Sequence, residues 1–75
     1  MKELLTYIAE NMVNEIDAIE VTETTNEAGT TLRLKVAPGD VGKMIGRGGR
    51  TAKEVRALVR AANRDGGKVM VDFVD

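Results

Sequence analysis

The chain has 75 residues, enough for one small domain spanning 1–75 that buries only roughly 60% of the surface its unfolded form exposes. It has no cysteine and no histidine, which excludes a disulfide framework and an ordinary zinc site. The net charge of −1 hides a division. Residues 1–42 carry three basic groups against eight acidic ones, whereas residues 43–68 carry eight basic groups against Glu54 and Asp65. A basic segment inside a near-neutral chain points to a polyanionic partner, and a solvated cationic helix face is the alternative. The N-terminus lacks the apolar core of a signal peptide, and no apolar run nears the roughly 20 residues of a membrane span. The expectation is a soluble cytoplasmic domain with no membrane partner.

Residues 2–13 place Leu4, Leu5, Ile8, Met12 and Val13 at helical spacing, which predicts a helix with one core-seeking face. Residues 14–17 read as its exit. Residues 18–25 alternate, with Ile19 and Val21 on one side and Glu20 and Thr22 on the other. Residues 26–29 (Asn-Glu-Ala-Gly) signal a turn, and residues 30–37 are the clearest strand, Leu32, Leu34 and Val36 opposing Arg33 and Lys35. The two strands form a predicted hairpin.

Pro38, Gly39 and Asp40 end that strand, and Asp40 is suited to cap a short helix over 41–45. A glycine loop follows, then a predicted helix over 50–63 with Ala52, Val55, Leu58, Val59 and Ala62 in one arc. Lys53, Arg56, Arg60 and Arg64 are assigned to the opposite arc, by default a solvated face. Its arginines strengthen the long-range field without direct groove contacts, with a second RNA or protein surface as the alternative. Asp65, Gly66 and Gly67 stop the helix, and residues 68–74 alternate Val69, Val71 and Phe73 as a last strand. The order predicts an α+β domain: a three-stranded sheet with helices on one face.

The glycine loop, Gly46-Arg47-Gly48-Gly49, combines bare backbone, two arginines (Arg47 and Arg50) and the positive end of the following helix. Together these make a phosphate seat. A Walker loop is excluded, because Gly49 is followed by Arg50 and Thr51 and the upstream spacing fails. A dinucleotide fingerprint is excluded too, since the loop joins two helices and position 51 is threonine where a glycine is needed. No metal-binding acid stands near the loop for nucleotide hydrolysis, and no acid–base pair or activated nucleophile suggests an enzyme. The pattern calls for no cofactor. Tyr7 and Phe73 are the only aromatics, too few for the base-stacking platforms of an RRM or an OB-fold.

Gly-x-x-Gly between two helices is the loop of the KH domain, which clamps about four nucleotides of a single strand. Set in Val-Gly-Lys-Met-Ile-Gly-Arg-Gly-Gly-Arg-Thr-Ala-Lys-Glu-Val-Arg (residues 41–56), it resembles the small bacterial stand-alone KH proteins of the KhpA (YlqC-like) family, over essentially all 75 residues. The resemblance implies the prokaryotic type II KH fold, α-β-β-α-α-β, with the last strand parallel to the middle one and edging a groove. Gly48 departs mildly from it, standing where many relatives carry a larger polar residue. On this resemblance, Gly46 and Gly49 keep Cβ atoms away from the nucleic-acid backbone, and Arg47 meets phosphate. Arg50 and Lys43 add charge, with Lys53 within reach. Ile45 and Ala52, with Met44 or Val41, floor the bases, whose edges are read partly by main-chain groups near Val69 and Val71. The implied function is non-catalytic binding of single-stranded RNA, about four nucleotides per domain, with modest, salt-sensitive affinity. An RNA chaperone or post-transcriptional regulator is implied, as a homodimer or paired with a KhpB/Jag-like RNA-binding protein. A protein-interaction module of KH shape and a single-stranded DNA binder are the alternatives.

Overall fold

The computed structural model describes residues 1–64 and 67–74. Helix α1 (Lys2–Glu10) is followed by a 3-10 turn, Ile16–Ala18. Strands β1 (Glu20–Asn26) and β2 (Gly29–Lys35) come next, then a second 3-10 turn, Pro38–Asp40. Helix α2 (Val41–Ile45), a 3-10 turn at Arg47–Gly49, helix α3 (Arg50–Ala62) and strand β3 (Val69–Val74) complete the chain. The sheet order is β1-β2-β3, with β1 antiparallel and β3 parallel to β2. This is the mixed three-stranded α+β arrangement expected of a type II KH domain.

The elements differ from the sequence expectation mainly at their ends. α1 stops at Glu10 rather than residue 13, where Met12 and Val13 donate backbone hydrogen bonds to the Ala9 carbonyl. Val13 is buried all the same, so the apolar period reported the core contact and not the helix length. The hairpin connection shrinks to Glu27 and Ala28, the Ala28 amide donating to Asn26 Oδ1 at 2.8 Å. β2 ends at Lys35, the last residue with a partner on β1, although Val36 and Ala37 remain buried. α3 ends at Ala62, where Asn63 turns extended and its side-chain amide donates to the Gly67 carbonyl at 2.8 Å. Asp65 and Gly66, two of the residues assigned to that helix stop, lie outside the described residues.

The core lies between the helices and one face of the sheet. Leu5, Ala9 and Val13 meet Leu32, Leu34, Val69 and Val71, closed by Met44, Val55 and Val59. At about 25 cal/mol per Å² of apolar surface, such burial is the main stabilising term. The opposite face carries the ion pairs Arg33–Asp72 at 3.4 Å and Lys35–Glu20 at 4.0 Å. All four of these side chains are more than half exposed, so the pairs contribute little.

One expectation about the core is corrected. Leu58 and Ala62 do not join it: both are exposed, Leu58 at 57%. The buried arc of α3 runs through Ala52, Val55 and Val59 and is rotated toward Arg56.

Candidate nucleic-acid interface

α2 closes with the Gly46 amide donating to the Gly42 carbonyl at 2.8 Å. The chain then reverses through three departures from ordinary backbone, Gly46 at φ 77°, Gly48 at 64° and Gly49 at 78°. L-residues pay roughly 1–2 kcal/mol for left-handed backbone, which is why the turn is built of glycine. The three glycines serve different ends. A Cβ on Gly46 would overlap the side chain of Thr51, whereas a Cβ on Gly48 or Gly49 would meet nothing within 4 Å. Gly46 therefore lets the start of α3 dock on the end of α2, and its missing Cβ is claimed by the protein itself. Gly48 and Gly49 face open space.

The turn is held by the Gly49 amide donating to the Gly46 carbonyl at 3.2 Å and the Arg50 amide donating to the Arg47 carbonyl. α3 then begins on Gly49, with no side chain capping its first turn. The positive end of a 13-residue helix is thus presented beside the loop. Arg47, Arg50 and Lys53 are exposed there, and none has an ion-pair partner among the described residues. An open cleft of about 450 Å³ is lined by Arg47, Arg50 and Thr51.

Lys43 is placed differently. Its Nζ sits 3.2 Å from Oδ1 of Asp40, so part of its charge is already answered within the protein. Asp40 is not the side-chain cap expected of it: α2 starts without one. Its carboxylate is instead buried, at 3% exposure, and Oδ2 accepts from the Glu15 amide at 3.0 Å. That bond above all, assisted by the Asn14 amide and by Lys43 and opposed by burial, holds the Asp40 carboxyl below the usual carboxylate range.

The apolar residues expected to floor the bases separate into two groups. Ile45 is half-buried and stays outside the core cluster, leaving apolar surface beside the loop. Met44, at 1% exposure, belongs to the core, and Ala52 is buried at 3%. These two lie in the interior and not on the surface beside the loop. Val41 is half-buried and packs against the core.

β3 is an edge strand, and α2 and α3 both pack against it. In a parallel ladder alternate residues send their main-chain groups to opposite sides. The Thr30 amide donates to the Lys68 carbonyl at 2.9 Å, with Thr30 opposite Val69, so the groups of Val69, Val71 and Phe73 point to the free edge. One of them is already taken. Arg56, assigned from sequence to the solvated stripe, is half-buried; its Nε donates to the Val71 carbonyl at 3.1 Å and its guanidinium lies 5.1 Å from the Phe73 ring centre. The signal that locates it is helical phase: Arg56 follows Ala52 by four residues, about 40° around the helix.

Among the described residues there is no cluster of three or more side chains able to hold a metal ion, and no helix is long and apolar enough to cross a membrane. Residues 2–73 match the family described as KhpA/KhpB, KH domain. Among similar curated proteins, one from Clostridium acetobutylicum called RNA-binding protein KhpA is 43% identical over 75 residues, covering 99% of this chain and all of the relative. Proteins of the same name from Chlamydia trachomatis serovar D and Streptomyces coelicolor are 40% and 37% identical, over all of this chain and 97% and 92% of theirs. No solved structure matches the chain. The family match and these full-length relatives place the chain in the KhpA/KhpB family of KH-domain proteins.

Proposed function

We propose that this chain is a non-catalytic, cytoplasmic protein that binds single-stranded RNA. The loop Gly46–Gly49 receives the sugar–phosphate chain, Arg47 and Arg50 answer its charge, and the open start of α3 adds its dipole. The observation that carries this is the uncapped helix start standing beside two exposed arginines that lack ion-pair partners among the described residues. Membership of the family and the name of its relatives, RNA-binding protein KhpA, support RNA as the ligand. Ile45 offers the apolar surface on which a base rests, with Met44 and Ala52 behind it, while Lys43 and Lys53 strengthen the field.

A single domain gripping about four nucleotides neutralises few phosphates, so its affinity is modest and salt-dependent. Useful affinity then comes from multivalency, as a homodimer or in company with a KhpB/Jag-like RNA-binding protein, in the service of RNA chaperoning or post-transcriptional control. The test is the double change Arg47→Asp with Gly48→Asp, which reverses charge at the loop tip in open space. Electrophoretic mobility shift with a short unstructured RNA is expected to show binding abolished while the circular dichroism of the fold is unchanged. Undiminished binding would overturn the proposal.

A further inference from the structure

At Val71 the free edge of β3 departs from the mixed row of donors and acceptors that an ordinary edge strand offers. Of the outward-facing groups, the carbonyl of Val71 already accepts a hydrogen bond from Arg56 Nε, at 3.1 Å. The guanidinium brings five N–H donors and no acceptor, and one of the five is spent on that carbonyl. The remaining donors are held at the same edge by the Val71 bond and the Phe73 ring. Nearby, the Asp72 carboxylate is engaged by Arg33. At Val71 the edge thereby presents donors where an ordinary strand would present an open acceptor.

This edge lies further along α3 from the proposed RNA-binding loop. Arg56 stands six residues along α3 from Arg50, about 9 Å at the helical rise. Arg56 and Arg60 together with Thr31, Met70, Val71 and Asp72 line an open cleft of about 540 Å³. Met70 is 62% exposed there, an apolar surface next to the donors. A strand gripped at Gly46–Gly49 and running along α3 would lay its bases against this edge.

Resting on the RNA-binding proposal, we infer that Arg56 sets the base preference of the groove: it selects bases that present carbonyl oxygens and disfavours adenine. Uracil and hypoxanthine offer carbonyl acceptors to the guanidinium. Adenine carries no carbonyl oxygen, and the Val71 carbonyl beside the guanidinium already accepts from Arg56 Nε. Cytosine, with one amine and one carbonyl, falls between.

Fluorescence anisotropy with octa-uridylate, octa-inosinate and octa-adenylate tests this, since inosine and adenosine are both purine nucleosides and differ at position 6, carbonyl against amine. The wild-type protein is expected to bind the first two about fivefold more tightly than the third, the worth of roughly one hydrogen bond. Arg56→Met keeps the apolar stem, removes the donors and frees the carbonyl, and is expected to bring the three affinities to within about twofold. A wild-type preference for octa-adenylate, equal wild-type affinities, or an unchanged ratio in folded Arg56→Met would overturn the inference. The wild-type comparison can overturn it even if the variant does not fold. The charge-reversed loop variant separates the two claims. If it binds all three oligonucleotides undiminished, the loop proposal fails; if it binds none while Arg56→Met leaves the ratio unchanged, only the role of Arg56 fails.

Discussion

The side chain of Thr51 fills the space into which a Cβ on Gly46 would project, so the first turn of α3 is seated directly against the end of α2. The two helices cannot separate or rotate at the loop without disturbing this contact. It fixes the direction in which the start of α3, and with it Arg47 and Arg50, faces.

A graded glycine series follows. Gly46→Ala meets both left-handed backbone and a collision with Thr51, and is expected to cost more than about 2 kcal/mol. Gly48→Ala and Gly49→Ala meet only the backbone penalty, about 1–2 kcal/mol each. Urea unfolding of the three variants gives the order, and equal losses would contradict the Thr51 contact.

Met44 separates support from contact. Buried at 1% exposure in the core, it should behave as a core residue when truncated. Met44→Ala is expected to destabilise by roughly 2–5 kcal/mol. At a temperature where the variant is still folded, its RNA affinity should stay within about twofold of wild type. A normal melting curve with lost RNA binding would instead make Met44 a contact residue.

Asp40 predicts a pH dependence. Its folded pKa is depressed by the Glu15 amide and its other partners, so its contribution is fully present above the unfolded value of about 4 and is lost as pH falls through the lower folded value. Asp40→Asn should therefore be less stable than wild type at pH 7, and the gap should close as the pH falls below about 4. Thermal melts of both proteins between neutral and acid pH check this; a gap that widens toward acid would reverse the sign.

Salt distinguishes the loop cations. Arg47 lacks an ion-pair partner among the described residues, whereas Lys43 is already paired with Asp40. Arg47→Gln should lower the slope of log affinity against log salt by about 0.7, the value for one phosphate contact on a single strand. Lys43→Gln should lower it by clearly less. Equal changes would place both side chains on phosphate.

The fold was largely legible because each strand alternates and each helix carries an apolar stripe. Leu32 and Leu34 are buried between the exposed Arg33 and Lys35, as their alternation requires. What escaped was phase and partnership. Including Leu58 and Ala62 in the apolar arc of α3 turned the wheel away from Arg56, and only the position of β3 shows that this side chain has a carbonyl to reach. Asp40 was placed correctly at the start of α2, but its partner is the amide of Glu15, far away in sequence. Local spacing identifies a cap; it carries no information about a distant backbone group. Gly46 likewise stood out by type, while the reason for it lies in Thr51 across the turn.

The most direct measurement is titration of the 15N-labelled protein with a short single-stranded RNA, followed by amide chemical shifts. The largest changes are expected in Ile45–Lys53, with a second group along the free edge of β3 at Val69, Val71 and Phe73. Changes confined to α1 or to the outer face of the sheet, with the Gly46–Gly49 amides unmoved, would contradict the central claim that this loop grips the phosphate backbone.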